Sequence, residues 1–382
     1  MRVLLTTHRG AGHFGPLVPF AQACRRAGHD VLVAAPRPAA AMVARAGLDL
    51  HPFGEADPAV EAPVFERIRA MSPDEANEHI LRDLFGRIRG AAALPAMLEA
   101  VAGWGPDLVL HEMSELAGPA AAERHGVPHA RVGIGLAIGE HWGVGALNEA
   151  LADLLAGRQC RLERTPYLTL APPSLEFPSP EAPRALRFRD PAGGVRPLPD
   201  FWDGSDDPLV YVSFGSAAPN FDFFGGLCRA VLRALGKLPL RILFTIGDQS
   251  DPEALGPLPR SVHVERWVPQ ADVMPHADAM VGHGGSGSTL MAMAAGVPLA
   301  VVPLFADQPY NARRIAQIGA GIALEGGVEA VSEVPRAIRT LLEEPRYRRQ
   351  ARRVAAEVAA LPPVDDAVRL LEDYAEGRAL AA

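Results

Sequence analysis

The stretch that most limits what this chain can become is Ala279 to Met293, where a short apolar run passes directly into His283-Gly284-Gly285-Ser286-Gly287-Ser288-Thr289 and then into a helical pattern. A strand that turns through glycines into a helix is half of a strand–helix–strand crossover, the unit from which parallel α/β sheets are built. Such a turn also points unpaired backbone N–H groups and the positive end of the helix dipole at one spot, where an anion such as phosphate is stabilised. The order predicts a strand over Ala279–Gly282, an anion cradle at the glycines, and a helix continuing through Met293.

The neighbouring residues narrow the anion. His283, Ser288 and Thr289 add side-chain donors, and Trp267, at the end of the preceding strand, offers an indole face on which a nucleobase can stack. Downstream, the strand Leu299–Val302 runs into Pro303-Leu304-Phe305-Ala306-Asp307-Gln308, placing a carboxylate and an amide at a sheet edge, a pair suited to sugar hydroxyls. In order and spacing, Trp267, Pro269, Gln270, His283, Gly284, Gly285, Gly287, Ser288, Thr289, Asp307 and Gln308 make this stretch resemble the signature of the GT-B glycosyltransferases of family 1: W-x-P-Q, then H-G-G-x-G-S/T-T, then P-x-x-x-D-Q. The resemblance implies that Trp267, Val268 and Gln270 lie at the base, that His283 to Thr289 hold the diphosphate, and that Asp307 and Gln308 hold the donor sugar. One position departs from the plant branch of the family, which carries a ribose-gripping glutamate eight residues after the histidine where this chain has Met291. A thioether cannot accept that pair of hydroxyl bonds, which favours a 2′-deoxyribose donor, a dTDP-sugar, over a UDP-sugar.

With 382 residues the chain exceeds what one core usually supports, so two domains are expected. Its 48% hydrophobic and 21% charged residues describe a folded enzyme rather than a disordered chain, and a net charge of −8 argues against nucleic acid as a partner. Cys24, Cys160 and Cys228 are far apart and form no C-x-x-C pair, which indicates neither a zinc site nor a disulfide framework. His125 and His129 have the spacing of a helical metal pair, but Gly126 and Pro128 between them break the helix it would need. There is no D-x-D acid pair either, and no metal and no cofactor are expected. Nothing resembles a signal peptide or a run of about eighteen apolar residues, so a cytoplasmic protein without a membrane span is expected.

The first domain opens with the strand Arg2–Thr7 and the loop His8-Arg-Gly-Ala-Gly-His-Phe-Gly15. Pro16 then begins an amphipathic helix burying Leu17, Phe20, Ala21 and Cys24, and Asp30–Ala35 is the next strand. Gly10, Gly12 and Gly15 spell the dinucleotide fingerprint G-x-G-x-x-G. A nicotinamide enzyme needs an acid at the end of the second strand, however, and this strand ends Ala34-Ala35-Pro36, so a dehydrogenase is disfavoured. His13, on the loop at the carboxyl edge of the first strand, is placed to meet a substrate. In the resembling family the histidine of G-H-x-x-P is the general base, matched here by Gly12-His13-Phe14-Gly15-Pro16. Such a base needs a partner to fix its tautomer. The strand Asp107–Leu110 ends in His111-Glu112-Met113-Ser114-Glu115, where the family usually has aspartate at the position of Glu112; Glu112 is the expected partner and Glu115 the alternative.

Between Phe53 and Gly105 the pattern is helical, with Ile80, Leu81, Leu84 and Phe85 giving one buried face. The resemblance implies that this region and the loop Gly133–Gly143, with Trp142, line a pocket for a hydrophobic acceptor. From Pro172 to Pro208 prolines are dense enough to forbid a helix or central strand, marking an interdomain connection. The second domain begins with Leu209-Val-Tyr-Val-Ser-Phe-Gly-Ser216, and the resemblance puts Ser216 beside the donor phosphates. The tail reads as helices interrupted by Pro345 and Pro362-Pro363.

The expected architecture is α/β, with two Rossmann-like doubly wound parallel-sheet domains facing a cleft: 1–190 for the acceptor, a linker over 191–208, 209–362 for the nucleotide sugar, and 363–382 as a helix crossing back onto the first domain. The resemblance implies an inverting, metal-independent glycosyltransferase that moves a sugar from a dTDP- or UDP-sugar to a hydroxyl of a small hydrophobic natural product such as a polyketide. Rival readings are a catalytically silent nucleotide-sugar-binding auxiliary protein, a sugar-nucleotide epimerase and the dehydrogenase.

Overall fold

The computed structural model describes residues 1–136, 143–158, 160–176, 185–190, 196–202, 204–248 and 250–378. The chain divides into two compact units, one formed by Met1–Leu170, Pro178–Pro191 and Pro362–Ala382 and the other by Ala171–Phe177 and Ala192–Leu361.

The first unit is built on seven strands: β1 (Arg2–Thr6), β2 (Asp30–Pro36), β3 (Asp49–Phe53), β4 (Leu108–Glu112), β5 (His129–Val132), β6 (Tyr167–Thr169) and β7 (Ala185–Arg187). All pair in parallel in the order β3-β2-β1-β4-β5-β6-β7. A parallel sheet is covered by crossover helices on both faces, which is why these strands read as nearly unbroken apolar runs. Val3 and Leu5 pack with Leu17, Phe20 and Cys24 on one face, and Leu4 packs with Ala93, Met97 and Val101 on the other. The last helix, Val364–Ala375, buries Val364, Ala367, Val368 and Leu371 in the same cluster as Val3, so the chain ends in the first unit. Its attachment includes the Arg26–Asp365 pair at 2.8 Å and a bond from the Val364 N–H to the Arg189 carbonyl at 3.0 Å. The proline-rich stretch does contain a strand, β7, but at the sheet edge, where fewer N–H groups are needed for pairing.

The second unit has six parallel strands: β8 (Leu209–Ser213), β9 (Arg241–Thr245), β10 (Val262–Glu265), β11 (Ala279–Gly282), β12 (Leu299–Val301) and β13 (Gly321–Ala323). Their order is β10-β9-β8-β11-β12-β13. Val210, Val212, Ile242, Phe244 and Val281 pack with Leu227, Val231 and Ile338 from the covering helices. Both sheets reverse their winding once, between β1 and β4 in the first and between β8 and β11 in the second. Ligands of open α/β sheets bind beyond the strand ends at such reversals.

Two expected features differ. The glycine-rich segment after β1 is helical from Ala11, not a loop up to Pro16: Ala11–Phe14 is a short helical turn, followed by a tighter turn at Gly15–Leu17 and the helix Val18–Arg26. Gly10 enters it at φ 115°, a conformation that glycine adopts without steric cost, and the buried Phe14 anchors it. The helical stretch around residue 80 is a ten-residue π-helix, Ile80–Arg89, in which Leu84 and Gly86 are buried while Ile80, Leu81 and Phe85 are only half-buried. Among the described residues no helix is long and apolar enough to cross a membrane.

Candidate active site

In the first sheet, Thr6 at the end of β1 lies in register with His111 of β4, which sets Glu112 beside the turn that follows β1. That turn carries His13, whose Nδ1 is 3.0 Å from Glu112 Oε1; the imidazole is a quarter exposed and the carboxylate fully buried. Glu112 also accepts the Ser114 N–H at 2.7 Å and the Ser114 hydroxyl at 3.0 Å. Burial pushes this carboxyl upward, yet the neighbouring His13 and the Ser114 N–H outweigh it and hold the group down at about 2. Glu112 is thus ionised near pH 7. The folded value lies below the roughly 4.3 of a free glutamate, so the pairing stabilises the fold above that pH and fades as pH falls toward 2. An ionised Glu112 only accepts, so His13 Nδ1 carries the proton and the Nε2 lone pair is left on the opposite edge of the ring.

Of the two carboxylates weighed from the sequence, Glu112 is the one in contact with His13. Glu115 accepts the N–H groups of Ala117 and Gly118, each at 2.9 Å, at the start of the helix Ala117–His125. Burial raises its carboxyl to about 7. Three further residues complete this end, of which Phe85 belongs to the stretch that the resemblance assigned to the acceptor pocket. His8, brought down to about 4 by burial, donates from Nε2 to the Ser114 carbonyl at 3.1 Å. Phe85 sets its ring 5.4 Å from that of His13 and 4.9 Å from that of His8. Ser114 is the third, through its bonds to Glu112. A π-helical segment is rare and concentrates at functional sites, and here it carries Phe85. Trp142 lies outside the described residues.

In the second sheet, Gly282 of β11 is in register with Ser213 of β8, so the turns after both strands leave the same edge. Gly284 has φ +84°, and a Cβ there would lie 2.8 Å from Val301 Cγ1 and 3.1 Å from the Gln308 carbonyl. A Cβ on Gly215, in the turn after β8, would lie 2.6 Å from His283 Nε2. Glycine is therefore required where the backbone closes on the histidine. The helix Ser286–Ala294 begins at Gly285 with no side-chain cap, which leaves the N–H groups of Ser286, Gly287 and Ser288 without intrahelical partners. His283 is buried and pushed down to about 4, so it is neutral near pH 7. Its Nδ1 and Thr289 Oγ1 are buried without a hydrogen-bond partner among the described residues.

The Asp-Gln pair is tied to this turn by a residue the sequence gave no reason to choose. Buried Asn311 places its Nδ2 2.8 Å from the Gly284 carbonyl and 2.9 Å from Asp307 Oδ2, and the Ser286 hydroxyl donates to the same Asp307 oxygen at 2.8 Å. Gln308 spends its Oε1 on the N–H groups of Leu304 and Phe305, at 2.9 and 3.0 Å, which leaves its amide nitrogen as the end able to meet a ligand. Between them Ala306 holds φ 56°, unusual for a residue with a side chain. Gln270 donates to the Ser288 hydroxyl at 3.0 Å. Trp267 is 62% exposed, a large indole face open to solvent; Ser216 is also exposed, and Val268 and Met291 are half-buried.

Residues 22–153 match the N-terminal domain, and residues 229–373 the C-terminal domain, of the family described as Erythromycin biosynthesis protein CIII-like. The chain is 36% identical over 372 residues to the L-demethylnoviosyl transferase of Streptomyces niveus, covering 95% of each chain. It is 29% identical to the Streptomyces glycosyltransferase SsfS6, solved with thymidine diphosphate, with a TM-score of 0.79 over 98% of this chain and 99% of that one. The spinosyn rhamnosyltransferase SpnG, solved with spinosyn aglycone, shares the fold with a TM-score of 0.84 at 23% identity, over 97% of this chain and 100% of that one. With two parallel-sheet domains and these matches along nearly its whole length, the chain belongs to the EryCIII-like family of GT-B glycosyltransferases of secondary metabolism, enzymes that transfer sugar from a nucleotide sugar.

Proposed function

We propose that this glycosyltransferase inverts: His13 Nε2 removes a proton from an acceptor hydroxyl, the resulting oxygen attacks the anomeric carbon, and the nucleoside diphosphate leaves from the opposite face of the sugar. An α-linked donor then yields a β-glycoside. The observation that carries the reading is the 3.0 Å contact between His13 Nδ1 and buried, ionised Glu112. It fixes the tautomer that presents a lone pair at Nε2 and stabilises the imidazolium once the proton is taken. His8 and Phe85 wall the same ring, and Phe85 offers an apolar surface to an aromatic or polyketide acceptor.

The donor diphosphate is assigned to the N–H groups of Ser286, Gly287 and Ser288, with His283 and Thr289 beside it. Developing charge on the leaving group is met there by fixed dipoles, which is sufficient without a metal ion. Trp267, Val268 and Gln270 take the base side, Ser216 the phosphate side, and Asp307 with the amide of Gln308 takes the sugar. Met291, half-buried where a ribose-gripping carboxylate would stand, supports a dTDP donor; the solved relative bound to thymidine diphosphate is consistent with that choice. The acceptor is read as a small hydrophobic natural product.

The experiment is turnover of a panel of dTDP- and UDP-sugars against aromatic and polyketide acceptors, read by mass spectrometry, with the anomeric configuration of the product taken from its NMR coupling. A product whose anomeric configuration is opposite to that of the donor, formed preferentially from dTDP-sugars, is expected; retention of the donor's configuration would remove the single-displacement mechanism. His283→Ala is expected to weaken dTDP binding by about 1–3 kcal/mol, the scale of a hydrogen bond to a charged group, as read by calorimetry. Unchanged affinity would contradict the phosphate assignment.

A further inference from the structure

A second cluster of ligand-type side chains lies in the first unit, separate from the sugar-transfer residues. Glu123, near the end of the helix Ala117–His125, His129, the first residue of β5, and Cys160, just before the short turn Leu162–Arg164, bring one ligand atom each to within 4.8 Å of one another. His129 Nε2 is 3.1 Å from Glu123 Oε1 and 3.8 Å from Cys160 Sγ. For a tetrahedral zinc with bonds of about 2.0 Å to nitrogen and oxygen and about 2.3 Å to sulfur, the corresponding edges are roughly 3.3 and 3.6 Å. The His129–Glu123 and His129–Cys160 separations thus lie close to the edges such an ion requires.

The proton inventory points the same way. His111 Nδ1 lies 3.2 Å from the Glu112 carbonyl, and His111 Nε2 lies 3.1 Å from His129 Nδ1. A carbonyl only accepts, so the Nδ1 proton of His111 points at it, and the Nε2 of that neutral tautomer is an acceptor for His129 Nδ1. His129 must then donate from Nδ1, and its Nε2 lone pair faces the Glu123 carboxylate. In that tautomer the two lone-pair atoms, 3.1 Å apart, are held together by a shared proton or by a metal ion. A metal ion satisfies nitrogen, oxygen and sulfur together.

We propose that Glu123, His129 and Cys160 bind one divalent cation of the zinc class, with water in the fourth position, as a structural clamp on this unit. The surrounding groups suit that role. Metal-bound histidines characteristically donate their other N–H to a fixed acceptor, as His129 does to His111, and the Tyr374 hydroxyl donates to the His129 carbonyl at 3.2 Å. Glu123, with 39% of its side chain exposed, gives the ion a way in from solvent. Burial and the nearby Glu123 raise the Cys160 thiol to about 12, so it is protonated before binding; the ion replaces that proton, which is released to solvent as the metal–sulfur bond forms.

The test is titration of the full-length, chelator-treated protein with Co²⁺ and then Zn²⁺. One equivalent of Co²⁺ should produce a thiolate-to-cobalt charge-transfer band in the near ultraviolet, displaced by Zn²⁺, with about one proton released per ion at pH 7. Cys160→Ser should abolish the band, and His129→Gln should weaken binding roughly tenfold or more. The other thiols, Cys24 and Cys228, are buried in the hydrophobic clusters and cannot supply the band. Should either variant fail to fold, Glu123→Gln, altering a half-exposed carboxylate, serves instead, with the same loss of affinity expected. Absence of stoichiometric binding, a band that survives Cys160→Ser, or a His129 NMR signal showing imidazolium at pH 7 with and without Zn²⁺ would overturn the proposal.

Discussion

Replacing His13 with alanine is expected to slow sugar transfer by about 10²–10⁴-fold, the usual contribution of a positioned general base, while dTDP affinity stays within a few-fold. The substitution removes the imidazole that Glu112 orients and leaves every donor in the second unit untouched. It also strips a partner from a fully buried carboxylate, so some stability is lost, on the order of 1–3 kcal/mol. Assays at temperatures well below the melting transition separate the two effects. Glu112→Gln should give a smaller rate loss, because the amide can accept from Nδ1 but cannot stabilise the imidazolium. An active His13→Ala enzyme would remove the base assignment.

Gly284→Ala is expected to destabilise the second unit by about 2–4 kcal/mol and to abolish measurable nucleotide binding. A side chain at φ +84° costs roughly 1–2 kcal/mol in itself. The added Cβ would also lie 2.8 Å from Val301 Cγ1 and 3.1 Å from the Gln308 carbonyl, so the turn must shift away from β12 and from the Asp-Gln pair. Gly287→Ala is the internal control: nothing lies within 4 Å of a Cβ there, and alanine suits a helix better than glycine. Thermal or denaturant melts of the two variants should differ by the amount stated. Equal stability would mean that the turn does not depend on its left-handed residue.

The central turn was readable because its signal is local. Strand, glycines and helix follow one another within fifteen residues, and the structure places β11 at Ala279–Gly282 and the helix at Ser286–Ala294. Apart from Glu112, which the resemblance supplied, residues that act across the sheet were not readable. Ser114 and His8 matter through Glu112, and Asn311 through Gly284 and Asp307, contacts set by strand register rather than by spacing in the sequence. The helical geometry after Gly10 escaped for another reason: glycine-rich segments favour loops, whereas here the segment turns with Phe14 buried in the first core. The π-helix was hidden as well, since apolar residues at 80, 81, 84 and 85 fit an α-helical face equally well. His129 illustrates the limit most clearly. Its pairing with His125 fails on Gly126 and Pro128, whereas folding brings it to Glu123 and, 31 residues away, to Cys160.

The central claim is that main-chain amides opening the Ser286–Ala294 helix grip the donor diphosphate, leaving the first unit to supply the base. A crystal structure with dTDP bound tests it most directly. The β-phosphate is predicted within hydrogen-bond distance of the N–H groups of Ser286 to Ser288, with the base near Trp267; a diphosphate lodged instead against Gly10–Gly15 would contradict the account.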